Sequence, residues 1–247
     1  MEKKHVVKQL IYGIHAVQEA IESGKEFERI YILKTEKGAA LMELNGLIKE
    51  KRLPVHHVPI HKLNRLTRRD ANHQGVVAFL SIIPNVTVDE IITRTFESGE
   101  SPKILVLDGV TDVRNFGALS RSALAFGFHA VVVPNKGSAL IHEDAVKASA
   151  GALMKIPVSK SINLSRTILE MKQFGLKIIG ITEKANESIS KLKIDEPFAL
   201  ILGNEETGLH PNSLEACDAT YKIDISPQID SLNVSVAGAI AMFVTSN

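Results

Sequence analysis

The chain has 247 residues, 45% hydrophobic and 23% charged, and contains no tryptophan. That is an ordinary globular composition with room for one large domain or two modest ones. A single cysteine, Cys217, excludes a disulfide framework and any cysteine-based zinc site.

The formal net charge of +1 is informative once it is divided. Residues 1–82 hold 14 Lys and Arg against 9 Asp and Glu, a balance of +5, and the remainder holds 15 against 19. Such asymmetry marks a nucleic-acid-facing part on a neutral whole, although charge runs are more often solvated faces. The N-terminal MEKKHVVKQLIYG is basic but lacks the apolar stretch of a signal peptide. No apolar run approaches the ~20 residues that a membrane span needs. The expectation is a cytoplasmic protein without membrane association.

In chain order, IYGIHAVQEAIESG has helical spacing and stops at Gly24. ERIYILK follows as a strand, GAALMELNGLIKEKR as a helix, and LPVHHVPI and HQGVVAFLSI as further strands. This alternation predicts a small α/β domain over 1–82. Residues 83–102 carry proline near both ends and the turn-rich ESGESP, and are expected to form a linker. Over 103–247 the pattern becomes βαβ, with strands at KILVLDG, HAVVVP, LKIIGIT and FALILGNE alternating with helices at NFGALSRSALAFG and NLSRTILEMKQFG. Continuous apolar strands of this kind suit a parallel sheet buried on both faces.

An α/β domain invites a search for a phosphate loop, but neither G-x-G-x-x-G after a strand nor G-x-x-x-x-G-K-[ST] occurs, and there is no G-x-S-x-G nucleophile elbow. His56, His57, His61 and His73 cluster in sequence without a Cys or H-E-x-x-H pattern, so they are expected at surfaces and strand edges, and no metal is expected.

Three other stretches each follow an apolar strand, where ligands bind in open α/β sheets. DGVTDVRNFGALSRSALAFG contains Asn115 and Arg121, about one and two-thirds helical turns apart. LILGNEETGL is a strand running into a glycine-flanked acidic turn around Glu205. DSLNVSVAGAIAMF crowds Ser231, Asn233 and Ser235 at the start of an apolar helix. Each has a bland reading: Asn115 or Asn233 as a helix cap, Arg121 snorkelling, Gly203 and Gly208 as turn glycines. Their joint occurrence in this order is what carries weight.

RNFGALSRSALAFG, LILGNEETGL and SLNVSVAGAIAMF resemble the three signature motifs of the SpoU (TrmH-like) 2′-O-ribose RNA methyltransferases of the SPOUT superfamily. YGIHAVQEAI and HQGVVAFLS are similar to the start and end of that family's RNA substrate-binding domain, so the resemblance spans nearly the whole chain. It implies a knotted C-terminal domain, a deep trefoil, that binds S-adenosyl-L-methionine in a bent form and pairs as a homodimer. By motif position, Asn115, Arg121, Glu205, Ser231 and Asn233 are the implied catalytic residues. Gly203, Ile223 and Leu232 are the implied cofactor contacts, with Asn204 and Ile225 nearby. The implied substrate is RNA, foremost a guanosine in the peptidyl-transferase P loop of 23S rRNA, with a tRNA guanosine, or a non-catalytic RNA-binding ribosome-assembly role, as the alternatives. Arg65, Arg68 and Arg69 in RLTRRD form the densest basic cluster and are expected on phosphates.

Arginine is a poor proton acceptor because its guanidinium pKa lies above about 12, so Arg121 is assigned to the substrate ribose-phosphate. Ser231 and Asn233 are expected to orient it. One departure from the family pattern stands out: IDISP replaces the usual IPM-x-G, which puts Ile225 at the Met position and Pro227 at the Gly position.

Overall fold

The computed structural model describes residues 10–35, 38–68 and 70–246. The chain divides into two compact units, 1–82 and 83–247.

The first unit runs β1 (Leu10–Tyr12), α1 (Ile14–Glu22), β2 (Phe27–Leu33), α2 (Ala39–Glu50), β3 (Val55–Val58), α3 (Ile60–Leu66) and β4 (Val76–Leu80). Its sheet has the order β1-β4-β2-β3, with β4 antiparallel to both neighbours and β2 parallel to β3. Val17 and Ile21 of α1 and Leu41, Leu44 and Ile48 of α2 pack on one face against Phe27, Ile30, Ile32, Val76 and Ala78. Leu63 of α3 packs on the other with Tyr31, Val58 and Val77. The single helix expected over IYGIHAVQEAIESG is divided. Leu10–Tyr12 pairs with β4, and the helix begins only after Gly13, whose φ of 92° turns the chain out of the strand.

His73, expected at the surface, is buried: Nε2 meets Asn64 Oδ1 at 2.8 Å and Nδ1 accepts the Gly75 N–H at 3.0 Å. Both ring nitrogens are satisfied, which is what permits its burial. Arg65 on α3 and Arg68 just after it are exposed, while Arg69 lies outside the described residues.

The second unit contains α4 (Val88–Glu97), β5 (Lys103–Leu107), α5 (Val113–Ala125), β6 (Ala130–Pro134), α6 (Glu143–Ala148), β7 (Val158–Ser161), α7 (Leu164–Gln173), β8 (Lys177–Ile181), β9 (Glu187–Ser188), β10 (Phe198–Leu202), α8 (Pro211–Glu215), β11 (Ala219–Lys222) and α9 (Val234–Val244). Its seven strands are parallel throughout, in the order β7-β6-β5-β10-β8-β11-β9. Every residue of the central β10 is buried. Ile104, Val106, Val132, Ile178, Ala199 and Ile201 point to the side on which α4 and α7 supply Val88, Ile92, Ile168 and Met171. The alternate residues point to the other side, where Leu202 lies against Gly238 of α9 and α9 packs on α5.

The stretch 83–102, expected as a linker, is folded into this unit. Asn85 forms a bridge to Val158 and accepts the Lys160 N–H at 2.9 Å, which continues the sheet pattern beyond β7. The helix α4 then buries Val88, Ile91 and Ile92. Among the described residues no helix is long and apolar enough to cross a membrane.

Ile92 is fully buried, so Ile92→Ala should remove about 2–5 kcal/mol of stability. Denaturant unfolding checks this, since a true linker residue would leave the midpoint unmoved.

Candidate active site

The site is built where β5, β10 and β11 deliver the chain to loops at their carboxyl ends. After β5, Asp108 Oδ2 accepts the His210 N–H at 2.9 Å, and the Gly109 carbonyl accepts from Asn204 Nδ2 at 2.8 Å. These two bonds tie the first loop to the one after β10. Asp112 then starts α5, its Oδ1 accepting the N–H groups of Arg114 and Asn115 at 2.8 and 2.9 Å. Asp112 therefore caps the helix, not Asn115, which leaves the Asn115 amide free for other partners.

The loop after β10 is a tight turn. Asn204 and Gly208 exchange backbone hydrogen bonds at 3.0 Å each way, and Asn204 Oδ1 accepts the Glu206 and Thr207 N–H groups at 2.9 and 3.2 Å. A Cβ on Gly203 would stand 2.2 Å from the Gly208 carbonyl carbon and 2.3 Å from Leu209 N. Only glycine lets the strand return so closely on itself.

The helix α9 begins at Asn233, whose Oδ1 accepts the Ser235 N–H at 2.9 Å. Its Nδ2 donates to Asn115 Oδ1 at 3.1 Å, and Asn115 Nδ2 donates to Glu205 Oε1 at 2.8 Å. One relay thus joins the three loops. The expectation that Ser231 and Asn233 orient Arg121 is not met, because the Asn233 amide is committed to Asn115. Arg121 lies exposed on α5 and has no hydrogen bond or ion pair among the described residues.

Beside this relay is a cavity of about 280 Å³. All five expected cofactor contacts, Gly203, Asn204, Ile223, Ile225 and Leu232, line it, and so do Glu205 and Ser231. Leu202, Ile223, Ile225 and Leu232 give it apolar walls, and four carboxylates line it without a single Lys, Arg or His. Pro227 stands outside the lining, in a turn where Ile229 N–H bonds to the Ser226 carbonyl at 3.3 Å. Proline suits the second position of such a turn, so the substitution shapes the loop and leaves the wall to Ile225.

Three polar residues escaped the sequence reading. Asp112 was legible as a helix cap three residues before Asn115. Asp230 and Glu183 line the cavity, and Glu183 was marked only by its place just beyond a strand. Cys217 takes no part: burial pushes its thiol up to about 11, and Sγ donates to the Ser213 carbonyl at 3.2 Å.

A cleft at the carboxyl ends of parallel strands, walled by close-packed backbone turns and flanked by side-chain amides, is the site of an enzyme that holds a nucleotide-like ligand. Comparison with known proteins agrees. The SpoU rRNA methylase family matches residues 102–243, and the RNA 2′-O ribose methyltransferase substrate-binding family matches residues 10–85. The chain is 35% identical to the 23S rRNA (guanosine-2′-O-)-methyltransferase RlmB of Vibrio parahaemolyticus, over 95% of each chain. It is 32% identical, over 94% of this chain and 93% of the other, to a Bacillus subtilis protein whose name assigns it to the TrmH family of tRNA/rRNA methyltransferases. Among solved structures, an RNA 2′-O ribose methyltransferase superposes with a TM-score of 0.55 at 25% identity, covering 98% of this chain and 90% of that one. The SpoU methyltransferase AviRb of Streptomyces viridochromogenes gives 0.60 at 20% identity, over 96% and 88%. The chain belongs to the SpoU rRNA methylase family and is an RNA ribose 2′-O-methyltransferase.

Proposed function

We propose that this enzyme transfers a methyl group from S-adenosylmethionine to the ribose 2′-oxygen of a guanosine in the peptidyl-transferase P loop of 23S rRNA. The observation that carries the substrate is the match over both units to a relative named for the 23S rRNA guanosine reaction. The cofactor reading rests on the cavity. Its apolar walls suit an adenine, and the turn that packs its backbone against Gly203 brings main-chain groups of that loop to the cavity wall, where they can read the ring edge. We place Gly203, Ile223 and Leu232 against the cofactor with Asn204 and Ile225 beside them, and the protein in the cytoplasm with its RNA. The excursion of residues 223–233 from β11 back to α5 fits the deep trefoil of the family.

The cofactor supplies an electrophilic methyl on a sulfonium, and the chain's task is alignment, which contributes ~7–11 kcal/mol when reactants are held in line. Asn115, Glu205 and Asn233 fix the three loops and hold the wall on which the ribose must sit. Ser231 lines the same wall. Arg121, unpaired on α5 among the described residues, takes the nucleotide phosphate with its planar fork, and Arg65, Arg68 and Arg69 of the first unit hold other phosphates of the RNA. Splayed bases of a single-stranded loop are the usual specific RNA target.

The test is transfer of labelled methyl from S-adenosylmethionine to unmodified 23S rRNA and to tRNA. Label at the P-loop guanosine, reduced at least tenfold in both Arg121→Ala and Arg121→Lys, is expected, because a bidentate fork is worth about 1.4 kcal/mol or more over a point charge. Label in tRNA alone would move the substrate. Binding of rRNA without transfer would make the protein an assembly factor, and full activity of Arg121→Lys would remove the fork from the account.

We further propose a homodimer through α9. Val236 and Phe243, 47% and 55% exposed, form an apolar row on that helix, with Phe126 edge-on to Phe243 at 6.0 Å between ring centroids. Such a row exposed in water marks an interface. Light scattering should find a dimer that Val236→Glu with Phe243→Glu converts to a monomer; a monomeric parent protein would contradict it.

A further inference from the structure

Glu183 is a cavity-lining residue to which neither the motifs nor the relay gives work. It sits just past β8, the strand next to β10. A hydrogen-bonded turn presents it: the Ala185 N–H donates to the Thr182 carbonyl at 3.2 Å, and Thr182 Oγ1 accepts the Lys184 N–H at 3.3 Å. The carboxylate has no ion pair among the described residues. Among the described residues its one hydrogen-bond neighbour is Thr182 Oγ1 at 3.5 Å, at the limit of contact. Oε1 hangs 4.0 Å from where a Gly208 side chain would begin, over the turn that closes the cavity.

The sheet order decides what that carboxylate can reach. Asn115 follows β5, Glu205 follows β10 and Glu183 follows β8, and these strands are adjacent in that order. Two strand spacings of ~4.8 Å put Glu183 roughly 10 Å across the sheet from the Asn115 side. The relay marks the end of the cleft where methyl is transferred, so Glu183 belongs to the opposite end. An acidic side chain at the carboxyl end of a neighbouring parallel strand is the arrangement by which α/β nucleotide sites hold a ribose hydroxyl. Two carboxylate oxygens match two vicinal hydroxyls, and a cavity without cations leaves the carboxylate available for them.

We propose that Glu183 is a ribose-binding residue of the cofactor cleft, its carboxylate accepting both hydroxyls of the adenosine ribose. This rests on the cleft being the S-adenosylmethionine site.

Calorimetric titration of the full chain with adenosine, 2′,3′-dideoxyadenosine, S-adenosylmethionine and S-adenosylhomocysteine tests it without any turnover. The parent protein should prefer adenosine over the dideoxy compound by about tenfold or more, the size of hydrogen bonds to a charged group. In Glu183→Ala that preference should fall below about twofold, with the dideoxy affinity unchanged; that unchanged affinity also reports an intact fold. Glu183→Gln, which keeps one acceptor, should lie between the two. Equal weakening of both nucleosides, or an undiminished preference in Glu183→Ala, would overturn the assignment. So would a loss confined to S-adenosylmethionine with S-adenosylhomocysteine unaffected, which would place the carboxylate on the sulfonium. Failure of the parent protein to bind any of the four would instead sink the cofactor reading, and this proposal with it.

Discussion

The side-chain amide of Asn115 is the point at which the catalytic unit is closed. It donates to Glu205, 90 residues away, and accepts from Asn233, 118 residues away. An amide can do both at once, since it carries a donor and an acceptor a fixed distance apart. Aspartate would meet Glu205 with a like charge, and an apolar residue would leave two polar partners at the cleft unpaired. The contact to Glu205 is also charge-assisted, which makes it the stronger of the two.

Everything around the relay serves to place that amide. Asp112 takes the capping work at α5, so the Asn115 side chain is spared for the distant loops. Asn204 holds its own turn and, through Gly109, the neighbouring loop. The absence of a side chain at Gly203 lets the turn fold flat against its strand. Two of the three functional loops hang from the buried strands β5 and β10, and the third follows the half-buried β11. Asn233 shows how thrifty the arrangement is: one side chain begins a helix with its oxygen and joins the relay with its nitrogen.

Much of this was legible in the sequence, and the exceptions have physical reasons. The strands KILVL, AVVVP, KIIGI and FALIL announce themselves because parallel strands covered on both faces must be apolar throughout. β7, β9 and β11 (VSKS, ES and ATYK) lie toward the sheet edges, are short and partly exposed, and carry no such signal. Residues 83–102 read as a linker because proline and glycine dominate their ends, yet α4 carries an apolar face at helical spacing that required a core to dock on. The crowding of Ser231, Asn233 and Ser235 resolves into three tasks. Asn233 caps, Ser235 receives the cap, and Ser231 lines the cavity. Composition alone cannot divide those tasks, because capping and ligand binding use the same side chains. Nor can spacing show that Asn233 is bonded to Asn115 and not to Arg121, since that depends on how loops distant in sequence meet.

The most direct test of the relay is a double-mutant cycle on methyl transfer to 23S rRNA, with Asn115→Ala, Asn233→Ala and the two combined. If one hydrogen-bonded unit holds the three loops, the double variant will be about as slow as the slower single variant. If instead the two losses multiply, the residues act independently, and Asn115 does not close the site.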